Sequence, residues 1–289
     1  MADSSAKQRT IKKAVSLSGI ALHSGEETEI KFCPASPGQG VVFRRVDLPD
    51  APEIRAEPET VISTRRCTTI GCSYRGEKVY IKTVEHLLAA VWATGIDNLL
   101  VELSGPEIPI TDGSAHPFLE LLSGAGCERQ QEVRRVLEPT EAVWVRDDND
   151  ETGSCLGLMP YDGFKVSYVL DYDHPRIGTQ FLEFDGESDC FGERIARART
   201  FGFSRDIDFL HEKGMALGGS LDNVLVFEEG APLNEPRFPD EPVRHKVLDL
   251  IGDMFLNGFI RGHVIAIKSG HSLNVKLAER IAGKRNGVH

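Results

Sequence analysis

The segment "HKVLDLIGD", residues 245–253, carries three side chains whose types and spacing could do chemistry. His245 and Asp249 are four residues apart, and Asp253 follows four residues later. On a helix of about 3.6 residues per turn, these three side chains share one face. A histidine and an aspartate at this spacing can supply two ligands to Zn²⁺, but a zinc site then needs another protein ligand from elsewhere in the chain.

An ordinary amphipathic helix explains the same pattern. The opposite arc is filled by apolar residues, namely Val247, Leu248, Leu250, Ile251, Met254 and Phe255. A polar face turned to solvent therefore accounts for His245, Asp249 and Asp253 without any metal. The spacing alone favours this plainer interpretation and leaves the metal site open.

A second segment, "KTVEHLLAAVWATG" at 82–95, predicts a buried helix because it is apolar almost all round. Thr83 is a candidate N-cap, and Gly95 is a candidate stop. Glu85 and His86 would be costly to bury without compensation of charge. Taken singly, Glu85 suits a first-turn acid that interacts favourably with the helix dipole, and His86 suits a hydrogen-bonded core histidine. Together, in so apolar a helix, they favour a site.

Two further segments carry reactive side chains at the ends of predicted strands. His271 in "KSGHSLN" lies at a strand-to-helix junction, where it suits either a general acid or base or a plain loop histidine. Thr200 in "RARTFGF" places a hydroxyl before two phenylalanines, which also fits the start of a packed strand. Neither segment is specific by itself.

The composition is that of a globular protein, and its acidic net charge argues against nucleic-acid binding. Of the 289 residues, 40% are hydrophobic and 27% charged, and the net charge is −11. Nucleic-acid binders usually carry a basic stripe, so we expect no nucleic-acid partner. A few local lysines or arginines would still suffice to hold a phosphorylated small molecule.

Cysteine usage and the N-terminus indicate a cytoplasmic protein. The six cysteines are scattered and form no C-x-x-C pair, which is typical of reduced thiols. The start "MADSSAKQRTIKK" has no apolar signal core, and no apolar run reaches the length of a membrane span. We expect a monomer with at most peripheral membrane association.

Both halves of the chain run through strands first and helices afterwards, which predicts an α+β fold. A charged connector at 126–133 suggests two domains, 1–127 and 128–289. The halves show no sequence repeat, so any duplication would be visible only in the structure. No P-loop and no G-x-G-x-x-G follows a strand, so neither nucleotide-binding motif is supported.

Taken together, the segments resemble one family. The zinc-dependent UDP-3-O-acyl-N-acetylglucosamine deacetylases of lipid A biosynthesis are similar in the order of these motifs: "HSGEETEI", "GVVFRRVDL", "TVEHLLAA", "IDNLLVELSGPEIPITDGSAHPF", "RTFGF", "SLDN", "RHKVLDLIGD" and "KSGH". The resemblance runs from about Arg9 to Ala282. It implies two α+β domains, each a layered sandwich of sheet and helices, with the active site at their interface.

The resemblance also implies a metal site and its ligands. His86, His245 and Asp249 would bind Zn²⁺ and leave a fourth position for water, the open arrangement of a catalytic zinc. Sites with two histidines and one carboxylate also accept Fe²⁺, so the sequence leaves the metal used in the cell open.

The remaining catalytic roles follow from the same resemblance. Glu85 would be the general base, and protonated His271 would stabilise the oxyanion and protonate the leaving amine. Thr200 would donate a hydrogen bond to the oxyanion. Asp253 would orient His271 and favour its charged form. Lys246 would face the phosphates of the substrate.

Substrate contacts are implied less directly. An insert at about 190–228 would bind the acyl chain, with Phe201 and Phe203 near its mouth. Tyr172 in "DYDHP" replaces the phenylalanine that is common in the family, and its ring still offers a face to uracil. Lys268 would be a further phosphate contact.

The reaction implied is hydrolysis of the N-acetyl group of UDP-3-O-[(R)-3-hydroxyacyl]-N-acetylglucosamine, which is the committed step of lipid A biosynthesis. One rival is an amidohydrolase of the same fold that acts on another acylated sugar nucleotide. Another rival is a non-catalytic zinc-binding protein. Intact Glu85 and His271 argue against the latter, because neither is a metal ligand.

Overall fold

The computed structural model of the chain describes residues 6–147 and 153–285. Within these ranges the strands are β1 (Lys7–Ile11), β2 (Val15–Ile20), β3 (Glu27–Pro34), β4 (Val41–Arg45), β5 (Glu53–Arg55), β6 (Val61–Ser63), β7 (Thr69–Tyr74), β8 (Glu77–Ile81), β9 (Leu99–Leu103), β10 (Cys127–Val133), β11 (Val136–Leu137), β12 (Val143–Arg146), β13 (Cys155–Met159), β14 (Phe164–Tyr172), β15 (Gly178–Asp185), β16 (Phe201–Phe203), β17 (Leu225–Phe227), β18 (Phe259–Ile260) and β19 (Gly262–Ile267). The α-helices in the same ranges are α1 (Glu85–Thr94), α2 (His116–Ala125), α3 (Phe191–Arg194), α4 (Ile207–Glu212), α5 (Glu241–Met254) and α6 (His271–Arg285). The α+β prediction is confirmed.

The two halves repeat one sheet topology. The first five-stranded sheet has the order β2-β3-β9-β4-β5, and the second has the order β12-β13-β19-β14-β15. In each sheet the last strand along the chain lies at the centre, antiparallel to one neighbour and parallel to the other. In each half, a long helix is the last α-helix before this central strand, and another α-helix follows it. The duplication is therefore structural, with α1 equivalent to α5 and α2 equivalent to α6.

The helices pack between the two sheets. Helix α5 contacts β14 and β15, α6 contacts β12 and β13, α2 contacts β2, and α1 packs on α5. The sequence of strand β14 explains this packing. Its buried residues alternate with more exposed ones, so one apolar face of the strand lies against the helices. A single apolar cluster runs through both sheets and the helices between them. The site residues of α1 and α5 therefore lie deep inside the molecule.

Helix α1 is buried on all sides, as its composition predicts. Gly95 ends it in the left-handed conformation, at φ 70°. The predicted N-cap is wrong, because Val84 occupies that position and Thr83 has a left-handed φ of 61°. The Thr83 hydroxyl instead donates to Glu107 Oε1 at 3.2 Å. Within the described part of the chain, no helix combines the length and apolarity needed to cross a bilayer.

The prediction that a charged connector joins the two halves is wrong, because this segment is a strand. Cys127–Val133 form strand β10, which pairs antiparallel with β1. Most of its residues are exposed, which explains a polar sequence without apolar alternation. The division of the chain into 1–127 and 128–289 stays a prediction.

A glycine allows α1 and α5 to approach closely. A Cβ atom at Gly252 would lie 2.0 Å from the main-chain oxygen of Glu85. Gly252 is flanked on α5 by Asp249 and Asp253, so this close contact brings the polar residues of both helices together. Any larger side chain must push the helices apart, because main-chain atoms cannot yield as a flexible side chain can.

We therefore expect Gly252→Ala to destabilise the protein. Overpacking of a buried contact costs about 1–3 kcal/mol, and the displaced helices should also lower catalytic activity. Thermal and denaturant unfolding measure the loss. Gly124→Ala is the matched control, since Gly124 is exposed in α2 with open space around its Cβ position. That control should leave the stability unchanged or raise it by up to about 1 kcal/mol. Equal effects of the two substitutions would contradict the close-contact argument.

Candidate active site

Three buried side chains from α1 and α5 point at one position. The Asp249 Oδ1 atom lies 3.6 Å from His86 Nε2 and 3.3 Å from His245 Nε2. All three residues are at most 4% exposed. The polar face of α5 therefore does not meet bulk solvent, and the amphipathic-helix interpretation of residues 245–253 is wrong. The structure brings together the three residues named as metal ligands.

The His245 ring offers no proton to the centre of this cluster. Burial lowers the pKa of His245 to about 3, although Asp249 opposes the shift, so the imidazole is neutral. The His245 Nδ1 atom lies 3.1 Å from the Ala198 carbonyl, to which a neutral ring donates its proton. The Nε2 lone pair then faces Asp249 Oδ1, which has no hydrogen-bond partner among the described residues. The lone pairs of His245 Nε2 and Asp249 Oδ1 repel each other unless a cation lies between them.

The distances fit a zinc ion. Bonds of about 2.0–2.1 Å in a tetrahedral site place two ligand atoms about 3.4 Å apart. The two distances from Asp249 Oδ1, 3.3 and 3.6 Å, lie close to this value. The hydrogen bond from His245 to Ala198 is also the outer contact that usually orients a metal-binding imidazole.

A second grouping of potential ligands, Glu85, Asp249 and His271, fits a cation less well. Its ligand atoms also lie within 4.8 Å of one another. However, the Lys246 ammonium donates to Asp249 Oδ2 at 2.8 Å, which puts a positive charge on that side of the carboxylate. The Asp249 oxygen that lies near His271 is this same Oδ2, which is 3.9 Å from His271 Nε2. The oxygen left without a donor is Asp249 Oδ1, on the side of His86 and His245.

Glu85 begins α1 beside this cluster with its carboxylate held by the main chain. The Thr68 amide donates to Glu85 Oε2 at 3.1 Å. Burial raises the pKa of Glu85 to about 7, although His271 and His86 oppose the shift. A carboxylate with a pKa near neutrality is well suited to accept a proton and release it again.

His271 faces Glu85 from the first residue of α6. Its Nε2 atom lies 3.8 Å from Glu85 Oε1, and its Nδ1 atom faces Asp253. Burial alone would lower the pKa of His271, but Asp253 and Asp249 raise it to about 9. A protonated imidazole opposite a carboxylate is the division of acid and base that hydrolysis needs.

A cavity of about 620 Å³ opens onto these groups, and part of its wall is apolar. Thr200 lines it immediately before β16, as do Tyr172, Phe201 and Phe203. The Tyr172 ring contacts Phe201 edge-on, with centroids 5.6 Å apart. Residues of the predicted insert continue the wall: Ile207, Leu210, Ala216, Leu221, Val224 and Val226.

The two lysines named from the sequence occupy different positions. Lys246 lines the cavity, with its ammonium bonded to Asp249 and 5.8 Å from the centre of the Phe201 ring. Lys268 lies at the end of β19 in a left-handed conformation, with φ 51°, and is not part of the cavity wall. The structure therefore places Lys246, but not Lys268, at the wall of this cavity.

Two residues of the site, Thr68 and Asn274, were not predicted from the sequence. Thr68 donates from its hydroxyl to Asp253 Oδ1 at 2.5 Å, and Asn274 donates to Asp253 Oδ2 at 2.9 Å. Thr68 and Asp253 are 185 residues apart in the chain, so no local spacing links them. Asn274 lies three residues after His271, on the adjacent turn of α6, and this helical spacing was the one available signal.

A buried ion pair holds the segment before Thr200 against α5. The Arg199 side chain donates to Glu241 Oε1 at 3.0 Å, and these side chains are 6% and 0% exposed. The same carboxylate accepts the main-chain amide of Arg199. This places the neighbouring Ala198 carbonyl over His245 and sets Thr200 at the cavity wall.

The site has the features of one chemical class. Two histidines and one carboxylate converge on a point, while a further carboxylate and histidine flank it inside a cavity. Metal-assisted hydrolases use this combination of metal ligands, base and acid.

Comparison with known proteins specifies the family. The model of the UDP-3-O-acyl N-acetylglycosamine deacetylase family matches residues 8–283. The UDP-3-O-acyl-N-acetylglucosamine deacetylase of Idiomarina loihiensis is 42% identical over 285 residues, covering 97% of this chain and 91% of that protein. The enzyme of that name from Myxococcus xanthus is 45% identical over 284 residues, covering 97% of this chain and 88% of that protein. This chain belongs to the UDP-3-O-acyl N-acetylglycosamine deacetylase family.

The Arg199–Glu241 pair gives a stability prediction. Glu241→Ala should cost about 3–5 kcal/mol, because it leaves the Arg199 charge buried and unpaired. Chemical denaturation measures the free energy of unfolding. Glu53→Ala is the control, since its pair with Arg44 is much more exposed, at 48% and 32%, and should cost less than about 1 kcal/mol. A small effect of Glu241→Ala would show that the pair does not hold the segment in place.

Proposed function

We propose that this protein hydrolyses the N-acetyl group of UDP-3-O-[(R)-3-hydroxyacyl]-N-acetylglucosamine, giving acetate and the free amine. This reaction is the committed step of lipid A biosynthesis. Membership of the deacetylase family supports the reaction. The observation that carries the mechanism is the convergence of His86, His245 and Asp249 beside Glu85 and His271.

The metal proposal rests on the donor set. His86 Nε2, His245 Nε2 and Asp249 Oδ1 would hold Zn²⁺, with Fe²⁺ as the alternative that such ligands also accept. When bound, the metal supplies Lewis acidity to the amide carbonyl and makes a neighbouring water more acidic. Lys246 balances the second oxygen of Asp249 and thereby leaves Oδ1 for the cation.

Glu85 acts as the general base in this scheme. It takes a proton from the attacking water as the new C–O bond forms at the carbonyl carbon. The Thr68 amide fixes Oε2 of the carboxylate, so Oε1 is the oxygen turned towards His271 and the cluster. Its pKa near 7 allows the proton to be received at neutral pH.

His271 acts as the general acid on the opposite side. Its raised pKa keeps the ring protonated, and Asp253 fixes Nδ1 so that Nε2 faces the reaction. The protonated Nε2 stabilises the developing oxyanion and then protonates the amine nitrogen as the C–N bond breaks. Thr200, on the cavity wall, donates a hydrogen bond to the same oxyanion.

The cavity supports an acylated sugar nucleotide as the substrate. The apolar residues between Ile207 and Val226 suit a fatty acyl chain, which matches the insert proposed at 190–228. Phe201 and Phe203 lie near the mouth proposed for the acyl chain, and the Tyr172 ring that contacts both offers its face to uracil. Lys246 and Lys268 are the cations that we assign to the phosphates. An apolar wall favours this substrate over an acyl sugar nucleotide without a long chain.

Metal removal tests the proposed reaction. The purified protein should release free amine from UDP-3-O-acyl-N-acetylglucosamine, lose this activity on treatment with a chelator, and regain it when Zn²⁺ is added back. Amine release is followed by chromatography. Failure of the metal-loaded protein to deacetylate this substrate would reject the function, and full activity after chelation would reject the metal.

A substitution tests the role of Glu85. Glu85→Gln keeps the shape of the side chain but removes the base, so kcat should fall by roughly 10²–10⁴-fold while bound metal stays constant. Glu120→Gln, at an exposed position of α2, is the matched control and should keep full activity. A Glu85→Gln protein with normal kcat and normal metal content would rule out Glu85 as the base.

A further inference from the structure

Thr68 is fully buried and contacts all three helices that carry the reactive groups. It lies in the loop between β6 and β7. Its hydroxyl donates to Asp253 on α5 and lies 3.4 Å from His271 Nδ1 on α6. Its main-chain amide donates to Glu85 on α1, and its carbonyl accepts the Val84 amide at 3.3 Å.

The hydroxyl controls how the Asp253 carboxylate is rotated. Asp253 has two oxygens and no exposed surface, and three donors surround it. Oδ2 accepts from Asn274 and from His271, while the Thr68 hydroxyl is the one donor to Oδ1 among the described residues. Without that hydroxyl, Oδ1 would be buried without a donor and the carboxylate would be free to turn away from His271.

The main chain of Thr68 controls the opposite side of the site. Its amide holds Glu85 Oε2, and its carbonyl anchors the residue that precedes α1. Thr68 therefore contacts the base directly and the acid through Asp253. The distance between Glu85 Oε1 and His271 Nε2 is 3.8 Å. Thr68 helps to position both side chains, Glu85 through its amide and His271 through Asp253.

We propose that Thr68 is a positioning residue whose hydroxyl fixes Asp253, and through it His271, at the distance from Glu85 that proton transfer across the scissile amide requires. This inference rests on the proposed deacetylation. The predicted defect is in the chemical step and not in substrate binding, because Asp253 positions His271, which acts at the reacting bond, while the acyl and aromatic walls remain intact.

The experiment compares Thr68→Val with Thr68→Ser in the zinc-loaded enzyme. Valine has the shape of threonine without the hydroxyl, so kcat should fall by about 10–100-fold with KM and bound zinc unchanged. Serine restores the hydroxyl and should recover most of kcat. Thr69→Val is the matched control, since Thr69 is the adjacent buried threonine and its hydroxyl is hydrogen-bonded only to Cys67 Sγ among the described residues. It should keep normal kcat.

A double substitution tests whether the hydroxyl acts through Asp253. In an Asp253→Ala background, Thr68→Val should lower kcat no further, since its partner is already gone. If Thr68→Val proves insoluble, Thr68→Ala removes the same hydroxyl with a smaller side chain and answers the same question.

Several results would overturn the inference. These are a normal kcat for Thr68→Val, an equal loss for Thr68→Ser, or a loss of bound zinc in step with activity. A full additional loss in the Asp253→Ala background would also overturn it. An inactive wild-type enzyme would contradict the proposed function itself, whereas an active wild type with an unimpaired Thr68→Val variant overturns this inference alone.

Discussion

The carboxylate of Asp249 is the constraint on which the rest of this site depends. It is buried among protein atoms, with one oxygen bonded to Lys246 and the other facing the nitrogens of two histidines without a donor. A buried charge of this kind is costly unless it is paired on every side. Lys246 satisfies one oxygen, and a cation between Asp249, His86 and His245 would satisfy the other. Helices α1 and α5 therefore meet around the buried charge of Asp249, although most of their contacts are apolar.

The fold makes this meeting feasible by using one arrangement twice. Each half builds a five-stranded sheet with equivalent strand order, and the last α-helix before the central strand is α1 in one half and α5 in the other. These equivalent helices, α1 and α5, pack against each other between the two sheets. Gly252 lets their main chains approach, and the Arg199–Glu241 pair holds the neighbouring segment over His245. The proposed metal ligands therefore come from both halves, and neither half holds the complete set.

Local sequence patterns predicted the elements better than the contacts between them. The apolar composition of 82–95 and the spacing in 245–253 correctly predicted helices α1 and α5, and the order of strands and helices predicted the fold class. The spacing could not decide whether His245 and Asp249 faced solvent, because burial depends on α1, more than 150 residues away. The resemblance to a family resolved that choice. Thr68 was missed for a related reason, since its role arises only where three distant segments converge. The Cys127–Val133 strand was mistaken for a connector because exposed strands lack apolar alternation.

The central claim is that a cation lies between His86, His245 and Asp249, and diffraction at the zinc absorption edge tests it most directly. Crystals of the zinc-loaded protein should show one strong anomalous peak about 2.0–2.2 Å from His86 Nε2, His245 Nε2 and Asp249 Oδ1. In crystals of His86→Ala, the peak should be lost or much weaker. A peak bound instead by Glu85 and His271, or a peak of full strength in His86→Ala, would contradict the account.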